Sequence, residues 1–173
     1  MKLGIIGILL TGIGLTLLAY ANFFAYSGDD AKYQSNTESF ATTATLPVRI
    51  LSAKAGIDAP VTIGGYENGK WILSKSNALF LPTSKMLGEG GNTILYAHKK
   101  KGLFATLKDL SVNDTITIYD LNGKTYTYEV YEKENIKPTQ MEKIETNKTN
   151  TLTLFTCDGW FDEDRLVVKA SLI

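Results

Sequence analysis

The chain carries one cysteine, Cys157, one histidine, His98, and two arginines, Arg49 and Arg165. A thiol reacts as its thiolate, and nearby positive charge favours that form. An imidazole can take or give the proton that such chemistry moves. Cys157, with a cation such as Arg165 nearby and His98 as acid or base, would therefore suit nucleophilic chemistry with sulfur as the attacking atom. Each also has a plainer reading. A free cysteine is commonly a small buried apolar residue. His98 could be a surface residue, and Arg165 could pair weakly with Asp162, Glu163 or Asp164. Sequence spacing alone does not bring His98 to Cys157.

The same inventory disfavours other chemistries. One cysteine cannot form an intramolecular disulfide, and a structural zinc site needs about four ligands, mostly Cys and His. A redox role would need a thiol from another protein. The 18 basic and 18 acidic side chains cancel, which gives no basic surface for nucleic acid. Asp158, Asp162, Glu163 and Asp164 offer oxygen ligands of the kind calcium takes. They lack a spaced calcium-loop pattern and read first as a solvated hairpin loop, so no cofactor is expected, with calcium as the less favoured alternative.

The elements that must position these residues read as mostly β. "PVRIL", "PVTIG", "KWILS", "ALFLP" and "NTILYAH" are short strand candidates. "TITIYDLNGKTYTYEVYE" reads as a hairpin, with Asn122-Gly123 predicting a type I′ turn. "TLTLFTC" and "RLVVKASLI" are the last two strands. If Leu152, Leu154, Leu166, Val168, Ala170 and Leu172 face the core, Cys157 and Arg165 share the outer face. Arg165, Val167, Lys169 and Ser171 then form a more polar surface. Antiparallel pairing would put Cys157 and Arg165 within side-chain reach.

Leu103, Phe104, Leu107 and Leu110 in "GLFATLKDL" are spaced as a short amphipathic helix, and "PTQMEKI" as one helical turn begun by Pro138. Trp71 is expected in the core. Trp160 is expected as a cover for the site or a surface anchor. Many short strands with few helices predict a closed or nearly closed barrel.

The organisation is read as three parts. Residues 1–26 contain an uncharged stretch from Leu3 to Tyr26, long enough to cross a bilayer as an N-terminal transmembrane helix. Lys2 before it and Asp29 and Asp30 after it place the N-terminus in the cytoplasm. Ala19-Tyr20-Ala21 has the form of a signal-peptide cleavage site, but the apolar run is longer than a signal-peptide core. Residues 27–45 are polar and read as a flexible spacer. Residues 46–173 form the domain, outside the cell on either reading.

The motifs resemble those of the sortases, cysteine transpeptidases of the Gram-positive type. "TLFTC" (Thr153–Cys157) followed by "RLVV" is similar to the family's Thr-Leu-x-Thr-Cys strand and its downstream arginine strand. "GNTILYAH" is similar to Gly-Asn-x-x-x-x-Gly-His, with Ala97 for the glycine. "RILSAKAGIDAPVTIGG" resembles the opening strand and Ile-Asp-x-Pro-Val turn. "FATLKDLSVNDTITI" resembles Phe-x-x-Leu-x-x-Leu-x-x-Gly-Asp, with Val112-Asn113-Asp114 at its end. The match runs in order from about Pro47 to the C-terminus.

The resemblance implies an eight-stranded sortase-type β-barrel with one or two short helices. It implies that Cys157 attacks an LPxTG-like sorting signal after its Thr and forms a thioacyl enzyme. His98 would then be the acid and base, and Arg165 the oxyanion or backbone anchor. Thr156 is a further candidate substrate contact, with a structural role equally open. The segment Lys133 to Asn150 would wall the peptide groove. The implied partners are secreted proteins with a C-terminal sorting signal, and an amine acceptor such as a peptidoglycan precursor or protein lysine. The spacer lacks the Asp-Pro-aromatic lid of pilin-polymerising members, so the subclass stays open between housekeeping and specialised anchoring enzymes. Two alternatives stand beside transfer: hydrolysis by the same site, as a protease, and a non-catalytic tethered binding barrel.

Overall fold

The structure is a computed structural model that describes residues 44–67, 70–158 and 164–173. The expected membrane segment, most of the spacer, Trp160, Asp162 and Glu163 lie outside these residues. Among the described residues, no helix is long and apolar enough to cross a membrane.

Among the described residues, ten strands follow in chain order: β1 (Pro47–Ser52), β2 (Ile57–Ile63), β3 (Tyr66–Glu67), β4 (Lys70–Trp71), β5 (Ala78–Phe80), β6 (Asn92–Tyr96), β7 (Thr115–Asp120), β8 (Thr125–Ile136), β9 (Thr151–Asp158) and β10 (Asp164–Leu172). Eight close into a barrel in the order β1-β2-β5-β6-β9-β10-β8-β7, and β3 pairs with β4 in a separate hairpin. β2 pairs with β5, and β6 with β9, in parallel. The mostly β, eight-stranded barrel expected from the motifs is the fold observed.

The barrel interior is filled by side chains from alternate strand positions. Ile50, Leu79, Leu95, Ile116, Ile118, Tyr128, Leu152, Leu154 and Val168 are all essentially inaccessible to water. Burying each such side chain contributes about 1.5–3 kcal/mol before the entropy of ordering the chain is counted.

Several local expectations are corrected. The β7–β8 turn is not type I′, because Asn122 is not among the residues with positive φ, whereas Gly123 has φ 80°. The Asp120 carboxylate accepts from the backbone N–H of Asn122 (2.9 Å) and Lys124 (2.8 Å). Gly123 N–H donates to the Asp120 carbonyl at 3.0 Å. These bonds fix a three-residue loop ending in a left-handed glycine.

Both short helices are 3-10 in form, at Phe104–Asp109 and Met141–Ile144. The apolar face of the first is as read, with Leu103, Phe104, Leu107 and Leu110 buried. The Lys133 ammonium donates to the carbonyls of Lys108 (2.8 Å) and Leu110 (2.5 Å). That satisfies the end of this helix, where carbonyls otherwise lack partners.

The polar outer face expected on β10 is closed to water in its middle, while Arg165 and Ser171 at its ends are half-buried. Val167 is fully buried and Lys169 is 7% exposed. Lys169 lies near Glu132 (3.5 Å) and Glu134 (3.6 Å) of β8. Lys143, in the second 3-10 helix, reaches Glu134 at 3.5 Å. The segment after Ile136 therefore folds back across this surface.

Candidate active site

β9 and β10 carry Cys157 and Arg165, and His98 lies two residues past the end of the neighbouring strand β6. Cys157 and Arg165 are direct register partners in the antiparallel β9–β10 pair. On the other side, Tyr96 pairs with Phe155 in the parallel β6–β9 ladder. Ala97 N–H continues it to the Phe155 carbonyl at 3.4 Å. His98 and Cys157 each follow by two residues from that last register pair. The fold thus brings His98, Cys157 and Arg165 into one row across adjacent strands, at the end of the barrel where β6 and β9 finish.

His98 is half-buried, and its backbone is fixed by the turn that follows. Its carbonyl accepts from Lys100 N–H (2.8 Å) and Phe104 N–H (3.3 Å), which joins the strand end to the first 3-10 helix. Arg165 is also half-buried, and its Nη1 donates to the Asp164 carbonyl at 3.0 Å. Asp164 pairs with Lys137 at 2.6 Å. This links the start of β10 to the start of the 137–150 connection. The expected wall from Lys133 to Asn150 is thus divided: Lys133 to Ile136 belong to β8, and the connection proper begins at Lys137.

Thr156 is 2% exposed, and its hydroxyl donates to the Ala97 carbonyl at 2.8 Å. It ties the strand of Cys157 to the segment that leads into His98. This fits the structural role. Ala97 lies where the family motif has glycine, and it is not among the residues with positive φ. The position needs small size here, since Ala97 is 4% exposed, and not a glycine backbone. Asn113, at the glycine of the Gly-Asp pair, does have φ 75°. Asparagine is one of the few residues that tolerate that region.

Sequence reasoning missed two features of the surface around the row. The Asn92 amide donates to the Ile144 carbonyl at 2.9 Å, and its oxygen accepts from the Thr153 hydroxyl at 2.8 Å. This buried bridge pins the 137–150 connection to β6 and β9. Asn92 stood in the motif, and a buried asparagine needs such partners. The second feature is aromatic. Trp71 is half-buried and is not a core residue; it packs on Tyr96 (4.9 Å between ring centroids) and Phe155 (5.3 Å). Burial raises the Tyr96 phenol to about 12, against a weaker opposing hydrogen bond from Gly65. Among the described residues, no group of three or more His, Cys, Asp or Glu side chains could hold a metal ion.

A sortase domain model matches residues 52–173. No curated protein matches the chain. Among solved structures, a Clostridium perfringens sortase D5 transpeptidase is 25% identical, with a TM-score of 0.63 over 82% of this chain and 91% of that one. Listeria monocytogenes sortase A is 24% identical, with a TM-score of 0.62 over 75% and 88% of the two chains. Sortase C1 of GBS Pilus Island 1 is 24% identical, with a TM-score of 0.61 over 73% of this chain. The chain spans 64% of that last protein, less than two thirds of its length. Types A, C1 and D5 thus resemble it alike, with no one subclass set apart. With a family model covering most of its length, and the barrel and motif order of that family, the chain belongs to the sortase domain family.

Proposed function

We propose that the protein is a membrane-anchored cysteine transpeptidase, with Cys157, His98 and Arg165 as its catalytic residues. The observation that carries this reading is the row across β6, β9 and β10, which gathers the only cysteine and only histidine of the chain beside one of its two arginines.

The Cys157 thiolate attacks the carbonyl after the Thr of an LPxTG-like sorting signal. A carbon–sulfur bond forms and the carbon–nitrogen bond breaks. His98 gives its proton to the leaving amine. An incoming amine then attacks the thioester, His98 takes the proton back, and sulfur leaves as thiolate. The reaction needs Cys157 as thiolate and His98 carrying its proton when the peptide binds. Arg165 offers fixed N–H donors to the oxyanion formed in both steps.

The donors in this reading are secreted proteins with a C-terminal sorting signal. The acceptor is an amine on a peptidoglycan precursor or a protein lysine. The uncharged Leu3–Tyr26 stretch supports an anchor with the domain outside the cell. No cofactor enters the mechanism.

A fluorogenic LPxTG-type peptide, assayed with and without an added amine, tests the reading. The expected result is an amine-linked product from the wild-type protein and none from Cys157→Ala. Cleavage that never yields an amine product would instead mark a protease. Turnover by Cys157→Ala would remove the thiol from the mechanism.

A further inference from the structure

Tyr96 and Phe155 precede His98 and Cys157 by two positions on adjacent parallel strands, and are register partners. Their rings stack at 5.4 Å with planes 17° apart. Both are buried, at 2% and 4% exposure. The far end of Tyr96 is also held. Its hydroxyl donates to the Gly65 carbonyl at 3.0 Å and accepts from Gly65 N–H at 2.8 Å. Space around it is tight, because a Cβ on Gly64 would lie 2.8 Å from the Tyr96 Cζ. Trp71 lies edge-on across both rings, 60° from Tyr96 and 67° from Phe155.

In the family motifs these two positions are variable ones, the x of Thr-Leu-x-Thr-Cys and the last x before Gly-His. Nothing in the motif therefore calls for paired rings here. The ladder offers weak support at this height, since Ala97 N–H reaches the Phe155 carbonyl at 3.4 Å, longer than an ordinary N–H···O bond. Thr156 ties the strands on one face. The stacked pair does so on the other. Sliding β6 against β9 would separate the stack, pull Tyr96 from Gly65 and disturb both contacts to Trp71.

We infer that Tyr96 is a positioning residue: stacked on Phe155 and bonded to Gly65, it sets the height of His98 against Cys157. The inference rests on the transpeptidase reading, because the height matters only if sulfur and imidazole act on the same substrate bond during acyl transfer.

The test uses the full chain in detergent, as wild type, Tyr96→Ala and Tyr96→Phe. Two readouts are taken: kcat and KM for an LPxTG-type peptide, and the pH profile of thiol alkylation by iodoacetamide. Tyr96→Ala is expected to lower kcat about 10²-fold, the size of effect a misplacement of about 1 Å can have, with KM nearly unchanged. Its alkylation profile should shift, because the surroundings of the thiol change when β6 slips against β9. Tyr96→Phe keeps the stack and should recover most of kcat. Should Tyr96→Ala fail to fold, Tyr96→Leu fills the core without stacking and takes its place. A folded variant without the ring, with wild-type kcat and alkylation profile, overturns the inference. No turnover in the wild type overturns only the transpeptidase reading, since the alkylation profile still reports whether Tyr96 fixes the surroundings of the thiol.

Discussion

The two sides of the barrel are built differently. On β2, Ile57, Ala59, Val61 and Ile63 are buried while Asp58 and Pro60 are exposed. β7 likewise buries Ile116, Ile118 and Asp120 at alternate positions. On the other side, β6 is buried at every residue, and β9 from Thr151 to Thr156. One side has a wet face and a dry face; the other is covered on both. Each side carries one arginine. Arg49, on β1, sends Nε and Nη2 to the two carboxylate oxygens of Asp58, at 2.7 and 2.6 Å, and both residues are exposed. Arg165 stands in register with Cys157. The difference teaches that the covered side is where the connection and the aromatic hairpin residue have been laid over the sheet, so that water is kept from the strands leading to the row. Low water content strengthens electrostatic interactions at such a site.

The largest expected contrast is between the arginines. Arg165→Ala should lower kcat about 10²–10³-fold, the usual loss on removing an oxyanion donor. Arg49→Ala should leave the transfer rate unchanged, because its guanidinium is already engaged by Asp58 on the wet side. Parallel kinetics with one peptide decide this. Equal losses from both would mean that Arg165 is a surface residue like the other.

The next contrast concerns what holds the cover down. Asn92→Ala leaves the Thr153 hydroxyl and the Ile144 carbonyl without their partner. It should cost about 1–3 kcal/mol in urea unfolding and raise KM for the peptide, since the 137–150 wall loses its anchor. Thr156→Val removes one hydrogen bond, to the Ala97 carbonyl. It should cost about 1 kcal/mol and lower kcat more than it raises KM. An Asn92→Ala protein with wild-type stability and KM would show that the connection is held by other contacts.

The smallest effect lies at alkaline pH. Tyr96 and Tyr128 are both raised from 10.0 to about 12, chiefly by burial. The phenols of the unfolded chain lose their protons near pH 10, about as free tyrosine does. Between about pH 10 and about pH 12 the unfolded state therefore binds fewer protons than the folded state, and stability falls as pH rises. Below about pH 10 these two groups leave stability unchanged. Tyr96→Phe should make the decline shallower, as read from urea midpoints at successive pH values.

Much of the architecture was legible because motif and alternation agree. The strand phase of "TLTLFTC" and "RLVVKASLI" placed Cys157 opposite Arg165, and that is the observed register. Alternation failed where both faces are dry. Thr151, Thr153 and Lys169 look like surface residues, yet all are buried, because Asn92, Glu132 and Glu134 from distant segments supply their partners or neighbours. The hairpin turn was misread because Asn-Gly is compatible with two loop forms, and the Asp120 carboxylate selects the one observed. Trp71 was read as core from its strand pattern. It belongs instead to a two-residue strand whose outer neighbours, Tyr96 and Phe155, come from elsewhere in the chain.

The most direct test of the account is intact-protein and peptide mass spectrometry after incubation with an LPxTG-type peptide and no amine. The account predicts a mass gain equal to the peptide's N-terminal acyl fragment, located on Cys157 and removed by a later pulse of amine. A folded protein that carries no such adduct while an unrelated sortase in the same mixture does, or an adduct at any other residue, would contradict it.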